Sequence, residues 1–258
     1  MDIAIITGAS SGMGKEFVIQ ADKNYVFDEI WVIARRKERL EELQALVKTK
    51  IVPVPLDLTD NSSLTILAEK LKNETPNVKL LVNCSGYGKF GLFENSTLED
   101  NAGMIDLNLK ALITVTQTVL PYIKEGGKII ELGSISGFMP IAHVGVYAAS
   151  KAGVLSFSEA LAKELKPKKI KVLCVCPYWV KTEFFDRADE KEHVKKYDVM
   201  YEPAFIVKKA YKTIDKTNKH YVVPGAYAKL VRFLAKILPH KLMMAINNAA
   251  IKFEKLYA

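Results

Sequence analysis

The sequence predicts an α/β fold: a doubly wound sheet of seven parallel strands with helices on both faces, followed by a helical extension. Three observations predict it. Short apolar runs alternate with longer amphipathic segments, and strand–helix alternation builds parallel sheets through right-handed crossovers. Several runs, such as DIAIIT and KLLVNC, are dominated by Val, Ile and Leu, the composition of strands buried on both faces. The first run leads straight into a glycine-rich turn and then an amphipathic segment. Sheets of this kind bind ligands outside the carboxyl ends of their strands, where strand order reverses.

The strands are expected at 2–7 (DIAIIT), 29–34 (EIWVIA), 50–56 (KIVPVPL), 79–84 (KLLVNC), 127–133 (GKIIELG), 169–176 (KIKVLCVC) and 220–224 (HYVVP). The helices fall between them, at 13–24, 37–48, 61–74, 97–124, 147–166 and 204–216. Two stretches depart from this alternation. Residues 177–200, PYWVKTEFFDRADEKEHVKKYDVM, are aromatic and then charged; they are long enough to fold over the carboxyl edge as a substrate loop. Residues 225–258 read as one or two amphipathic helices around Pro239. No repeat, low-complexity tract or Pro/Gly linker divides the chain, so 1–258 is expected to be one domain.

Composition narrows the function. The 258 residues are 49% apolar, enough for one large core. No apolar run approaches the roughly 20 residues that cross a bilayer. Strand-like residues begin at Asp2 without a basic leader, so no signal peptide is read and a cytoplasmic location is expected. Cys84, Cys174 and Cys176 lie in apolar strand runs and are expected as buried thiols, with no metal site and no disulfide. The net charge of +8 comes from lysines dispersed over helices. No basic run is interleaved with aromatics, which argues against a nucleic-acid partner. The extension carries six basic residues, Lys229, Arg232, Lys236, Lys241, Lys252 and Lys255, against Glu254 alone. It can serve as a lid over a pocket, a subunit interface or a contact with a membrane surface.

IITGASSGMGKEF places Gly8, Gly12 and Gly14 in a G-x-x-x-G-x-G turn, with Ser10, Ser11 and Met13 between them. This differs from the common G-x-G-x-x-G spacing, but the physical logic is similar. Gly8 makes the exit from the strand, Gly12 lets backbone approach a pyrophosphate, and Gly14 packs helix on strand. The helix N-terminus offers free N–H groups to phosphate. NAD-binding chains carry an acid about 20 residues further on. Here VIARRKERL puts Ala34 at that place, followed by Arg35 and Arg36. Two guanidiniums with no carboxylate suit a 2′-phosphate, so the expected cofactor is NADP(H). Asp57, followed by Leu58, stands after the third strand; it can accept from adenine N6 or cap the helix that starts near Asp60. Asn83, Ser85 and Gly86 close the fourth strand, where backbone can meet the adenosine ribose.

VGVYAASKAG sets Tyr147 and Lys151 four residues apart, one above the other on a helix. Together with TGASSGMG, NCSG, Asn108 in MIDLNLKA and Ser134 in LGSISG, this YAASK resembles the compact short-chain dehydrogenases/reductases over about residues 1–224. Order and spacing match together. The resemblance implies a Rossmann-like fold, a homodimer or homotetramer, and the catalytic set Asn108, Ser134, Tyr147 and Lys151. It also implies that backbone around Pro177 and Val180 and the Thr182 hydroxyl hold the nicotinamide carboxamide, and that Lys151 holds the nicotinamide ribose. Tyr147 would give a proton to a carbonyl oxygen, its acidity raised by the Lys151 ammonium. Ser134 would hold that oxygen; Ser136 is the alternative, and the resemblance, through its thirteen-residue spacing to Tyr147, favours Ser134. Asn108 would bend its helix and, with water, connect Lys151 to solvent.

CPYWVKTEF departs from the family pattern in having Tyr178 after Pro177 instead of glycine, a variant that resembles the hydroxysteroid dehydrogenase and 3-ketoacyl reductase branch. Phe138, Tyr178 and Trp179 are expected at the substrate with Ser134 and Tyr147, and Tyr87, Phe90, Phe93, Met139, Phe184 and Phe185 lie in the same loops. The sequence thus points to an NADP(H)-dependent oxidoreductase acting on a small apolar ketone or alcohol, first a hydroxysteroid or bile acid. A 3-ketoacyl thioester is the alternative, and a non-catalytic NADP-sensing regulator the reading from another class.

Overall fold

The computed structural model describes residues 1–189, 194 and 199–251. Its main sheet has seven parallel strands: β1 Asp2–Thr7, β2 Glu29–Ala34, β3 Lys50–Pro55, β4 Asn77–Asn83, β5 Lys128–Leu132, β6 Lys171–Val175 and, after two short strands outside this sheet, β9 Tyr221–Val222. The spatial order is β3-β2-β1-β4-β5-β6-β9. The chain winds outward from β1 to β3 and returns to lay β4 on the other side of β1. The crevice at that reversal, outside the carboxyl ends of β1 and β4, is where such sheets bind ligands.

Side chains alternate across each strand, and both faces are apolar. Ala4 and Ile6 pack under α1 (Gly12–Asn24) and α8 (Pro203–Lys216) with Phe17, Val18, Ile206 and Tyr211. Ile3, Ile5 and Trp31 pack on the opposite face with Leu67 and Leu71 of α3 (Asn61–Glu74), Val115 of α5 (Ala111–Val119) and Leu161 of α6 (Gly145–Leu165).

Four elements depart from expectation for local reasons. The helix expected over 37–48 is α2, Lys37–Glu41, followed by a 3₁₀ segment Glu42–Leu46. There the Gln44 side chain accepts from Ile51 N at 2.9 Å and turns the chain into β3. The helix expected over 97–124 is split into α4 (Leu98–Ile105), a π-turn Asp106–Lys110 and α5; Pro121 then tightens the exit into a 3₁₀ turn. The substrate loop contains β7 (Trp179–Val180) and α7 (Phe184–Ala188), and β7 pairs in parallel with β8 (Met200–Tyr201). Residues 190–193 and 195–198 of that loop lie outside the described residues. The edge strand expected over 220–224 is the two-residue β9.

The extension forms α9 (Ala226–Ile237) and α10 (His240–Ile251), parted at Pro239. Ala228, Val231, Ala235 and Met243 hold both to the body through a third apolar cluster with Met139, Ile141 and Val154. Lys252, Glu254 and Lys255 lie outside the described residues. No described helix is long and apolar enough to cross a membrane. Cys84, Cys174 and Cys176 are all buried free thiols.

Candidate active site

The glycine turn shapes one half of the site. Gly8 and Gly12 take φ of +67° and +51°, in the left-handed region that favours glycine. A methyl group at Gly8 would lie 2.8 Å from the Cys84 carbonyl and Ser85 N, so the close approach of the β1 and β4 ends requires its absence. Ser11 precedes α1 without capping it by side chain, which leaves first-turn N–H groups free for an anion. A cleft of about 730 Å³ opens here, lined by Gly8, Ser10 to Gly14, Ala34 to Arg36, Leu56 to Thr59 and Cys84 to Tyr87. Its glycine cradle and free amides fit a dinucleotide.

At the far end of the cleft stand the two arginines. Arg36 donates to Ser10 Oγ at 3.2 Å and lies 3.6 Å from Glu183, which also pairs with Arg39 at 2.9 Å. Arg35 is 66% exposed and lies 3.8 Å from Asp57. Asp57 does not cap α3: Asp60 does, accepting from Ser62 N at 2.8 Å. Asp57 instead accepts from the Thr59 amide and hydroxyl at 3.0 and 2.7 Å. Burial pushes its carboxyl up, but these two bonds and Arg35 outweigh it and hold Asp57 below the usual carboxylate range.

The other half of the site surrounds Tyr147. Ser134 lies two residues beyond the end of β5 and Tyr147 in the first turn of α6, and both side chains line one pocket. Ser136, buried beside them, donates its amide to Ser134 Oγ at 3.2 Å, while its own hydroxyl has no partner. Of the two serines it is Ser134 whose hydroxyl acts to lower the pKa of the Tyr147 phenol. One turn on, Lys151 is buried, donates from Nζ to the Leu132 carbonyl at 2.7 Å, and sits 5.7 Å from the centre of the Tyr147 ring. Burial lowers its pKa to about 8, with Cys84, Cys174, Cys176 and Glu131 acting in the opposite direction. Burial also pushes the Tyr147 phenol up to about 12, against the Ser134 hydrogen bond. The expected lowering by Lys151 is thus not met: burial dominates, and the downward influence comes from the Ser134 hydroxyl.

Asn108 lies fully buried in the π-turn. It accepts from Tyr87 N at 2.9 Å and donates to the Tyr87 carbonyl at 2.8 Å and to Ser150 Oγ at 3.1 Å. Gly86 sits between Asn108 and Lys151: a methyl group there would lie 2.8 Å from Asn108 Oδ1 and 3.5 Å from Lys151 Nζ. The π-turn turns Asn108 inward to pin the strand end beside the lysine.

Beyond Tyr147 an apolar cavity of about 90 Å³ is lined by Phe90, Met139, Ile141, Val144, Pro177, Tyr178, Trp179 and Val180. It meets the dinucleotide cleft at Met13, Gly86, Leu132, Thr182 and Phe184. Phe184 covers Tyr147, ring to ring at 5.6 Å. A polar cleft suited to phosphates and an apolar cavity thus share one wall, and Ser134 and Tyr147 face that junction. This arrangement can deliver a proton to an oxygen held between them.

A family model described as short chain dehydrogenase matches residues 2–193. The chain belongs to this family. It is similar to the 3-ketodihydrosphingosine reductase of Bacteroides thetaiotaomicron, 30% identical over 93% of this chain and 84% of that protein. It is also similar to the 3-oxoacyl-[acyl-carrier-protein] reductase FabG of Thermotoga maritima, 32% identical over 73% of this chain and 78% of the relative. Among solved structures, the Sphingobium yanoikuyae short-chain dehydrogenase in complex with NADPH superposes with a TM-score of 0.75 and 26% identity, over 100% of this chain and 98% of that one.

Two residues of this dehydrogenase lie elsewhere than expected. Asn83 does not line the cofactor cleft. Pleat alternation puts it on the Leu81 face of β4, under α5, where it donates to Thr116 Oγ1 at 2.8 Å. Phe138 does not line the apolar cavity. Its ring packs on Tyr221 at 5.4 Å and under the Arg232 guanidinium at 4.3 Å. Of the neighbouring loop aromatics, Tyr87 lines the cleft beneath Arg187, and Phe93 is 74% exposed. Asn247 of α10 lines the cavity and contacts Met139 Sδ at 3.6 Å; its signal was a polar residue on the buried face of an apolar helix, one turn after Met243. Glu131 is a second unexpected group. It is fully buried, accepts from Thr116 Oγ1 at 2.9 Å, and is pushed up to about 8 by burial.

Proposed function

We propose that this short-chain dehydrogenase uses NADP(H) to interconvert a ketone and a secondary alcohol on a long-chain 3-keto lipid. The observation that carries the reading is the placement of Ser134 and Tyr147 together on the wall of the apolar cavity, which shares a wall with the dinucleotide cleft. Bound NADPH supplies the hydride to the carbonyl carbon. Tyr147 stays protonated through neutral pH, since its pKa lies at about 12, and gives its proton to the carbonyl oxygen. Ser134 holds that oxygen and stabilises the charge that develops on it. Lys151 holds the nicotinamide ribose and, through Asn108 and water, returns a proton towards Tyr147. In the oxidation direction the phenolate form of Tyr147 takes up the alcohol proton.

The choice of NADP(H) rests on Arg35 and Arg36 with Ala34 where an acid would stand. It is supported by the NADPH complex of the Sphingobium relative. The choice of a chain over a ring system rests on the cavity. Sites for drug-sized ligands run to roughly 300–1,000 Å³, and the space beside Tyr147 is about 90 Å³. A linear chain threads such a space, whereas a hydroxysteroid, which the aromatic lining also favours, needs Phe184 to leave Tyr147. Both named relatives act on 3-keto groups of lipids or acyl carriers, in keeping with this choice. A regulator that only senses NADP has no use for Tyr147 and Lys151 together. The test is initial rates with NADPH and NADH on long-chain 3-keto lipids, 3-ketoacyl thioesters, 3-ketosteroids and bile acids. The proposal expects NADPH-dependent turnover of the first group; turnover confined to steroids, or to NADH, overturns it.

A further inference from the structure

The helices that hold the cavity wall also carry an outward face that the fold leaves uncovered. Leu230, Phe233 and Ile237 recur one helical turn apart along α9, each more than half exposed, with Phe233 at 57%. On α10, Leu242 and Ile246 stand one turn apart and are 47% and 40% exposed. None of these is needed to hold the helices in place, since Ala228, Val231, Ala235 and Met243 already do so from the inner face. Contiguous exposed apolar surface rimmed by polar groups marks an interaction site.

The rim is of one sign. Lys229, Lys236 and Lys241 are exposed beside the apolar stripe, and residues 226–251 contain no Asp or Glu. We infer that the outward faces of α9 and α10 dock on an anionic lipid bilayer, lying in its interface with the apolar stripe down. Amphipathic helices with cationic borders bind such surfaces by apolar burial plus attraction to anionic headgroups. Two-fold pairing of this face with its own copy would set lysine against lysine with no acid to compensate, so an anionic surface is the better complement. The inner side of α10 places Asn247 in the cavity wall. The docking surface and the cavity therefore share a helix, and a substrate drawn from the bilayer has a short way to travel.

The test uses the full chain and reads partition alone, independently of any substrate. Co-sedimentation is measured with vesicles of mixed phosphatidylglycerol and phosphatidylcholine, and with phosphatidylcholine alone. The variants are Leu230→Gln/Phe233→Gln/Ile237→Gln and Lys229→Glu/Lys236→Glu/Lys241→Glu. Light scattering follows oligomeric state, and thermal melting confirms folding; each variant set is read independently, so failure of one to fold leaves the other. Three lysines near the surface predict partition to anionic vesicles on the order of a hundredfold stronger than to neutral ones at low salt. Either variant should abolish most of that difference. Absent binding, or equal binding to both vesicle types, overturns the inference. So does a glutamine variant that dissociates an oligomer, because the occupant is then a second copy, for instance one offering the exposed Leu98, followed by Glu99 and Asp100, on α4.

Discussion

Replacing Arg35 by alanine is the sharpest perturbation of the cofactor reading. Its guanidinium is 66% exposed at the rim of the cleft, and its nearest acid, Asp57, is 3.8 Å away. It is therefore freer to meet a 2′-phosphate than Arg36, which is engaged with Ser10 at 3.2 Å and shares Glu183 with Arg39. A hydrogen bond to a charged group contributes about 1.5–3 kcal/mol, and about 1.4 kcal/mol is tenfold. Arg35→Ala should then lower kcat/KM for NADPH by roughly ten- to a hundredfold and leave NADH nearly unchanged. The assay is initial rates with each cofactor at fixed ketone, repeated at rising salt. Exposed charges are screened over about 8–10 Å at physiological ionic strength, so the wild-type preference should shrink as salt is added. Glu183→Gln should act in reverse and tighten NADPH, because it frees Arg36 and Arg39. A wild type that prefers NADH, or an Arg35→Ala variant with an unchanged ratio, refutes the reasoning.

Three further outcomes follow from the buried groups around Tyr147. Glu131 contests the single Thr116 hydroxyl proton with the Leu112 carbonyl, at 2.9 and 2.7 Å, a conflict that a neutral Glu131 resolves by donating to Thr116. Its pKa in the fold is raised to about 8 from the ordinary carboxylate range, so the stability it contributes is full below the unfolded value and is lost as pH rises through the folded one. Stability should fall by up to about 1.4 kcal/mol per pH unit across that window, and Glu131→Gln should flatten the melting temperature against pH; an unchanged slope contradicts this. Gly86→Ala would set a methyl group 2.8 Å from Asn108 Oδ1 and near Lys151, so kcat should drop at least about tenfold, for a displacement of only about 1 Å can cost that and more, with melting little changed; wild-type kcat contradicts it. Phe184→Ala removes the ring over Tyr147 and should lower KM for bulky ring ketones relative to linear ones; a parallel change in both contradicts the narrow-cavity reading.

The strands were legible because double burial demands Val, Ile and Leu, and the glycine turn because Gly8 and Gly12 hold backbone that other residues strain to adopt. Ser134, Tyr147 and Lys151 were legible as an ordered set. Asn83 was legible in principle: counting alternate residues from Leu81 puts it under α5 rather than in the cleft. Phe138 was not, since its direction is set by Arg232, far along the chain in α9. Nor was the shift of the Tyr147 phenol, because desolvation depends on what is packed around it and not on its distance in sequence from Lys151. Phe184 was seen as one of several loop aromatics, but its place over Tyr147 follows from α7 folding back across Gly88, where a methyl group would meet its ring at 2.8 Å.

The central claim is that Tyr147 gives the proton at the junction of cleft and cavity, and one comparison tests it most directly. NADPH binding and turnover of a long-chain 3-keto lipid are measured for the wild type and Tyr147→Phe side by side. Removing the hydroxyl should leave the Kd for NADPH within about twofold and cut kcat by roughly 10²–10⁴, the usual contribution of a positioned general acid. A Tyr147→Phe enzyme that turns over at the wild-type rate would contradict the account.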